Sequence, residues 1–239
     1  MKVYRVFSQS NLITDQRISQ LPGGFDRMTP ANLKKVFDIR YNTLENIKLL
    51  ELPSPNPNRL TPESQEFFLN AFIRFNSSLP PGQSIGQTPN SFKGNYANMS
   101  SLIEFFIRAL VMAGYESGIT VSLSDPIQTK TGIPKGKHEI NIYRGNLPII
   151  LIRPAKLIPQ QSSSALEQSF TSLIFSLYTE YQNSPIWPLY GILSDINTWE
   201  FLKFDGTSFY RSPPLPLFLD STPLHSLSHT ILQILDSSS

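Results

Sequence analysis

The densest cluster of charge is Lys130, Lys135, Lys137 and His138, interleaved with Gly132, Pro134 and Gly136. A basic loop of this kind suits contact with backbone phosphates, because ammonium groups on a pliant backbone can settle against successive negative charges. The plainer reading is a solvated loop. His225 and His229 stand four apart on an expected helix, a spacing that can ligate metal, but no third ligand accompanies them. They are expected to be surface histidines. Glu104 and Glu167 each occupy the fourth position of a Ser-x-x-Glu sequence, Ser101–Glu104 and Ser164–Glu167. In a capping box such a glutamate satisfies a backbone N–H and favours the helix dipole, a structural role with no chemistry. Other chemistries have no anchor. Cysteine is absent, which removes thiol nucleophiles, disulfides and Cys-ligated zinc. No G-x-S-x-G elbow, phosphate-cradling G-x-x-x-x-G-K-[ST] or G-x-G-x-x-G occurs.

The elements that must position these residues are legible from periodicity and punctuation. A short helix is expected near 31–38, and the run Pro53-Ser54-Pro55-Asn56-Pro57 reads as a proline-stiffened linker. Thr61-Pro62-Glu63 opens a helix with a cap, a first-turn proline and a first-turn acid. Its apolar stripe is Phe67, Phe68, Ala71, Phe72 and Phe75. Residues 79–98 read as a long loop. From Ser101 an apolar helix runs to Gly114, and 119–123 alternates as a strand does. Residues 139–143 and 147–153 flank Arg144-Gly145-Asn146 and read as a hairpin. A second helix starts at Ser164 and runs to about Tyr181, burying Leu166, Phe170, Leu173, Ile174, Leu177, Tyr178 and Tyr181. Strands follow at Leu189–Ser194, Thr198–Phe204 and Ser208–Arg211, then a last helix over about Leu224–Leu235. An antiparallel hairpin feeding a crossover helix and a further strand implies an α/β (α+β) fold with a mixed central β-sheet flanked by helices. Three parts are expected: an N-terminal helical or irregular extension with its linker over 1–60, a helix and long loop over 61–99 packing on the core, and the core with its C-terminal helix over 100–239.

Composition bounds the function more loosely. The 239 residues are 40% hydrophobic and 11% aromatic, with 16 Phe, so a substantial core is affordable. Charged residues are 16% and the net charge is +2, so no basic field spans the chain to announce a nucleic-acid partner. No stretch approaches the roughly 20 apolar residues of a membrane span. The N-terminus has no uninterrupted apolar segment of the secretory kind. The expectation is an intracellular, cytoplasmic protein with no membrane association; its oligomeric state is left open.

His138–Lys156 (HEINIYRGNLPIILIRPAK) resembles the hairpin of the PD-(D/E)XK nuclease superfamily, in which an acid begins one strand and a D/E-x-K triplet ends the next. Leu189–Asp195 with Trp199-Glu200-Phe201 is similar to the strand pair that follows the core helix in its restriction-endonuclease-like members. The likeness covers residues 100–215. It implies a restriction-endonuclease-like core, Mg²⁺ held by carboxylates on the two strands, and phosphodiester hydrolysis. Carried over by position, Glu139 is the first acid and a metal ligand, and Lys156 is the lysine. Pro154 stands where the second acid belongs, and proline cannot hold a metal. Some branches take that carboxylate from the following helix, which makes Glu167 a catalytic and metal-ligand candidate; Glu104 matches an acid of the first core helix, and Gln168 a glutamine of the second. Lys130, Lys135 and Lys137 become candidate nucleic-acid contacts. Arg153, on the opposite face from Lys156, is expected to pair with a helix carboxylate. The alternative function is an inactive nuclease-like domain kept as a scaffold or subunit with a protein partner.

Overall fold

The structure, a computed structural model, describes residues 28–40, 46–54, 56, 58–87, 92–115, 118–123, 140–155, 162–183, 188–218 and 221–237. Within them the chain runs α1 (Pro30–Phe37), β1 (Ile47–Leu49), α2 (Pro62–Ser77), α3 (Tyr96–Gly114), β2 (Ile119–Leu123), β3 (Ile140–Arg144), β4 (Leu147–Pro154), α4 (Ser162–Asn183), β5 (Leu189–Ser194), β6 (Thr198–Phe204), β7 (Phe209–Arg211), β8 (Leu215–Pro216) and α5 (Ser221–Ser237). The strands make one mixed sheet in the order β1-β7-β6-β5-β4-β3-β2, with β8 added beside β6. β4 and β5 are parallel, as are β1 and β7; the remaining neighbours are antiparallel.

Alternation along the strands splits the core into two layers. Ile140, Ile142, Ile150, Ile152, Ile192, Trp199 and Phe201 meet α2, α3 and α5 on one face. Leu151, Ala155, Leu193, Leu202, Phe204 and Phe209 meet α4 and α1 on the other. The first layer is knit by aromatic edges: Phe106 of α3 lies 5.3 Å from Phe68, 5.1 Å from Phe72 and 5.2 Å from Trp199. α3 is long and apolar enough to pass for a membrane span. Its apolar side is buried instead, with Leu102, Ile103, Phe106, Ile107 and Leu110 all inaccessible.

Several expected boundaries are found and several are shifted. The Thr61 hydroxyl accepts from the Ser64 N–H, capping α2 as its sequence suggests. Phe67, however, is 51% exposed and leaves the stripe to Phe68 and Phe72. α3 begins at Tyr96, five residues before the expected Ser101, because the Asn95 side chain caps it by accepting from the Asn98 N–H. Glu104 is therefore mid-helix and pairs with Arg108 one turn on, Oε1 to Nε 2.8 Å. α4 begins at Ser162, which makes Glu167 its sixth residue rather than its capping glutamate. The Asp205-Gly206 turn forms as expected: Gly206 has φ 83°, and a β-carbon there would strike the Tyr181 hydroxyl. β1 and β8 were not foreseen. Through β1 the N-terminal extension contributes a strand to the sheet edge.

A second tie holds the linker that follows β1. Arg59 donates to both carboxylate oxygens of Asp236 in α5, at 2.5 and 2.9 Å, and stacks 4.8 Å over the Tyr115 ring. The Tyr115 hydroxyl also donates to Asp236, at 2.6 Å, and burial with that carboxylate pushes its pKa to about 12. Although burial opposes it, the bonds from Arg59 and Tyr115 hold the Asp236 carboxyl below its ordinary 3.8. A lowered folded-state pKa means stability that is complete above the unfolded value and is lost as pH falls through the folded one. Asp236 is 42% exposed, so solvent discounts the size of the effect. The melting-temperature gap between wild type and Arg59→Gln should narrow as pH falls below the ordinary carboxylate range, the remainder being the Tyr115 stacking and the bond to the Gly114 carbonyl. A gap of constant width at every pH would remove Asp236 from the explanation.

Candidate functional site

The hairpin that carries the nuclease comparison forms. β3 and β4 pair with Ile140 opposite Ile152 and Asn141 opposite Leu151, turning through Gly145 at φ 59°. The chain then crosses through α4 and returns as β5 parallel to β4, with Pro154 opposite Ser194. The Ala155 N–H donates to the Ser194 carbonyl at 2.7 Å and extends the ladder by one step.

Strand register decides which residues share a face with α4, the helix bearing Glu167 and Gln168. Asn141, Leu151, Arg153 and Ala155 alternate onto that face, whereas Ile150, Ile152 and Pro154 alternate onto the α3 face. The metal-ligand position inferred from sequence is thus a buried proline turned away from α4. The two residues that flank it on the α4 face are an arginine, 6% exposed, and a fully buried alanine. Neither side chain offers the oxygen ligand that Mg²⁺ takes. Among the described residues no three of His, Cys, Asp and Glu converge.

Glu167 and Gln168 are half-buried on the first turns of α4; the Gln168 carbonyl accepts from the Ser172 hydroxyl at 2.8 Å. Glu104 lies in the other layer, on α3, so the sheet separates it from Glu167 and the two acids do not form one site. Glu139, Lys156, Lys130, Lys135, Lys137 and His138 lie outside the described residues.

Sequence reasoning missed two features. On the α4 face Glu200 is 9% exposed and pairs with Arg211 of β7, Oε2 lying 2.7 Å from both Nε and Nη2. The Arg211 guanidinium lies 4.8 Å over the Phe170 ring of α4. The signal was available: Glu200 has the parity of Leu202 and Phe204, an acid facing inward within TWEFLKF. The other is His229, expected at the surface but 6% exposed. Its ring stacks near parallel to His225 at 6.2 Å, and burial together with that neighbour lowers its pKa. His225 meets the Gln65 amide of α2, Nε2 to Nε2 2.7 Å. α5 packs against α3 and β8, and His229 faces inward from it.

Comparison of the chain with protein-family models finds no match, and comparison with curated proteins finds none either.

Proposed function

We propose that this chain is a restriction-endonuclease-like domain that holds nucleic acid without cutting it. Its element order supports the reading: a helix, an antiparallel run β2-β3-β4, a crossover helix, then β5 parallel to β4 and β6 antiparallel to β5. That is the order the hairpin and strand-pair likeness implies. Loss of cutting rests on one observation. Where the hairpin and α4 share a face, the described hairpin positions are Asn141, Leu151, Arg153 and Ala155, and none of them is an acid or a lysine.

Hydrolysis through a migrated carboxylate is the competing reading. It would enlist Glu167 with Glu139 and Lys156 to hold Mg²⁺ and activate water. Labelled single- and double-stranded DNA and RNA, incubated with Mg²⁺ or Mn²⁺ and then with chelator, separate the two. The expected result is intact strands under every condition. Metal-dependent cutting abolished by Lys156→Ala or Glu167→Gln would overturn the proposal. Intact strands with no binding would leave the domain as a scaffold or subunit for a protein partner.

A further inference from the structure

On the α3 face, toward the β1 edge, one row of the sheet alternates cation and aromatic ring. Lys48 of β1 pairs with Tyr210 of β7, Tyr210 with Lys203 of β6, and Lys203 with Tyr190 of β5. Side chains opposite one another in neighbouring strands point to the same face, so this row is a ladder. Both ammonium groups converge on one ring: Lys48 Nζ is 5.3 Å and Lys203 Nζ 5.4 Å from the Tyr210 centroid. Lys48 is exposed, and Lys203 and Tyr210 are half-exposed. Tyr190, at the inner end of the row, is 9% exposed.

We propose that Lys48, Tyr210 and Lys203 form a contact site for the phosphates of a single nucleic-acid strand. The proposal rests on the nucleic-acid reading above and locates where such a strand would lie. Charge carries it. Among the described residues neither lysine has an ion-pair partner, whereas Arg59, Arg108 and Arg211 are each paired with a carboxylate. Asp205, an acid beside the ladder, accepts from the Tyr210 hydroxyl at 2.7 Å with one oxygen. Its other oxygen accepts from the Thr207 N–H, the Thr207 hydroxyl and the Ser208 N–H. These bonds hold the carboxylate within the turn, where it fixes the phenol and makes no ion pair with either lysine.

The ring holds two flexible side chains in place by cation–π attraction, which lowers the ordering cost when an anion arrives. The lysines stand two strand spacings apart, about 9.6 Å between backbones, a span one strand of phosphates can cover. A half-exposed aromatic ring beside two cations is a combination suited to single strands.

The test uses the full chain and fluorescein-labelled oligothymidylate, followed by anisotropy across a salt series. Lys48→Gln with Lys203→Gln should weaken binding about tenfold at low salt and reduce the slope of log K against log salt by about 1.4, or 0.7 per lysine. Lys203→Glu should weaken it further. Lys34→Gln, which removes an exposed lysine of α1 in the other layer, should bind as wild type does. Circular dichroism and melting of each variant establish that it is folded. If wild type binds and the double lysine variant binds equally well, the ladder is wrong while the nucleic-acid reading stands. No binding by wild type would sink both. Tighter association with phosphatidylserine vesicles than with the oligonucleotide would assign the ladder to an anionic surface and overturn the proposal.

Discussion

Trp199→Ala is expected to cost about 3–5 kcal/mol of stability, the range for truncating a large buried aromatic. Trp199 is wholly inaccessible on the α3 face of β6 and packs 5.2 Å from Phe106, which itself edges onto Phe68 and Phe72. Its indole N–H donates to the Ile196 carbonyl at 3.2 Å. That bond steadies a demanding turn, because Ile196 sits at φ 69°, a region β-branched residues rarely enter. The Ile196 N–H donates to the Ser194 hydroxyl, and Asp195 accepts from the Thr198 N–H and hydroxyl. Truncation therefore opens a cavity beneath α3 and frees the β5–β6 turn together. Trp199→Phe keeps most of the packing and loses the indole bond, so it should cost distinctly less. Urea unfolding measures both; a cost for alanine below about 1 kcal/mol would mean that Trp199 does not anchor the layer.

The second large effect is on the opposite face. Glu200→Ala should destabilise the protein by about 3 kcal/mol, because it strips the carboxylate from the Arg211 guanidinium between the sheet and α4. The partners are 11% and 18% exposed, so solvent compensates little. Removing both charges behaves differently. Glu200→Leu combined with Arg211→Met is expected to recover most of the loss, since a buried pair replaced by apolar groups of similar volume forfeits little. A double-mutant cycle by urea unfolding reads the coupling directly. Additive losses would show that the pair is not the source of the effect.

What the sequence revealed depended on where the information for each element resides. Leu189–Ser194 and Thr198–Phe204 were delimited to the residue, because their β-rich runs are bounded by Asp195-Ile196-Asn197 and Asp205-Gly206. The start of α3 was misplaced because Ser101-Leu102-Ile103-Glu104 imitates a capping box, while the true cap, Asn95, sits in a polar stretch that reads as loop. β1 and β8 have three and two residues and exist through their partners β7 and β6, so no local pattern announces them. The candidate site failed to show itself for a related reason. Counting along the chain set Arg153 and Pro154 on opposite faces, but which of those faces meets α4 is decided by the pairing and the crossover, which no local pattern announces. The Lys48–Tyr210–Lys203 ladder was illegible because Lys48 comes from β1, far in sequence from the consecutive strands β6 and β7 that carry the other two.

The central claim, a nuclease-like domain that holds a strand without cutting it, is tested most directly by one binding titration. Affinity for a labelled single strand is measured with Mn²⁺ and with chelator at matched ionic strength, and the bound strand is recovered and sized. The account predicts the same affinity in both conditions, a steep dependence on salt and a recovered strand of full length. Affinity that requires the metal, or a strand that comes back shorter, would contradict it.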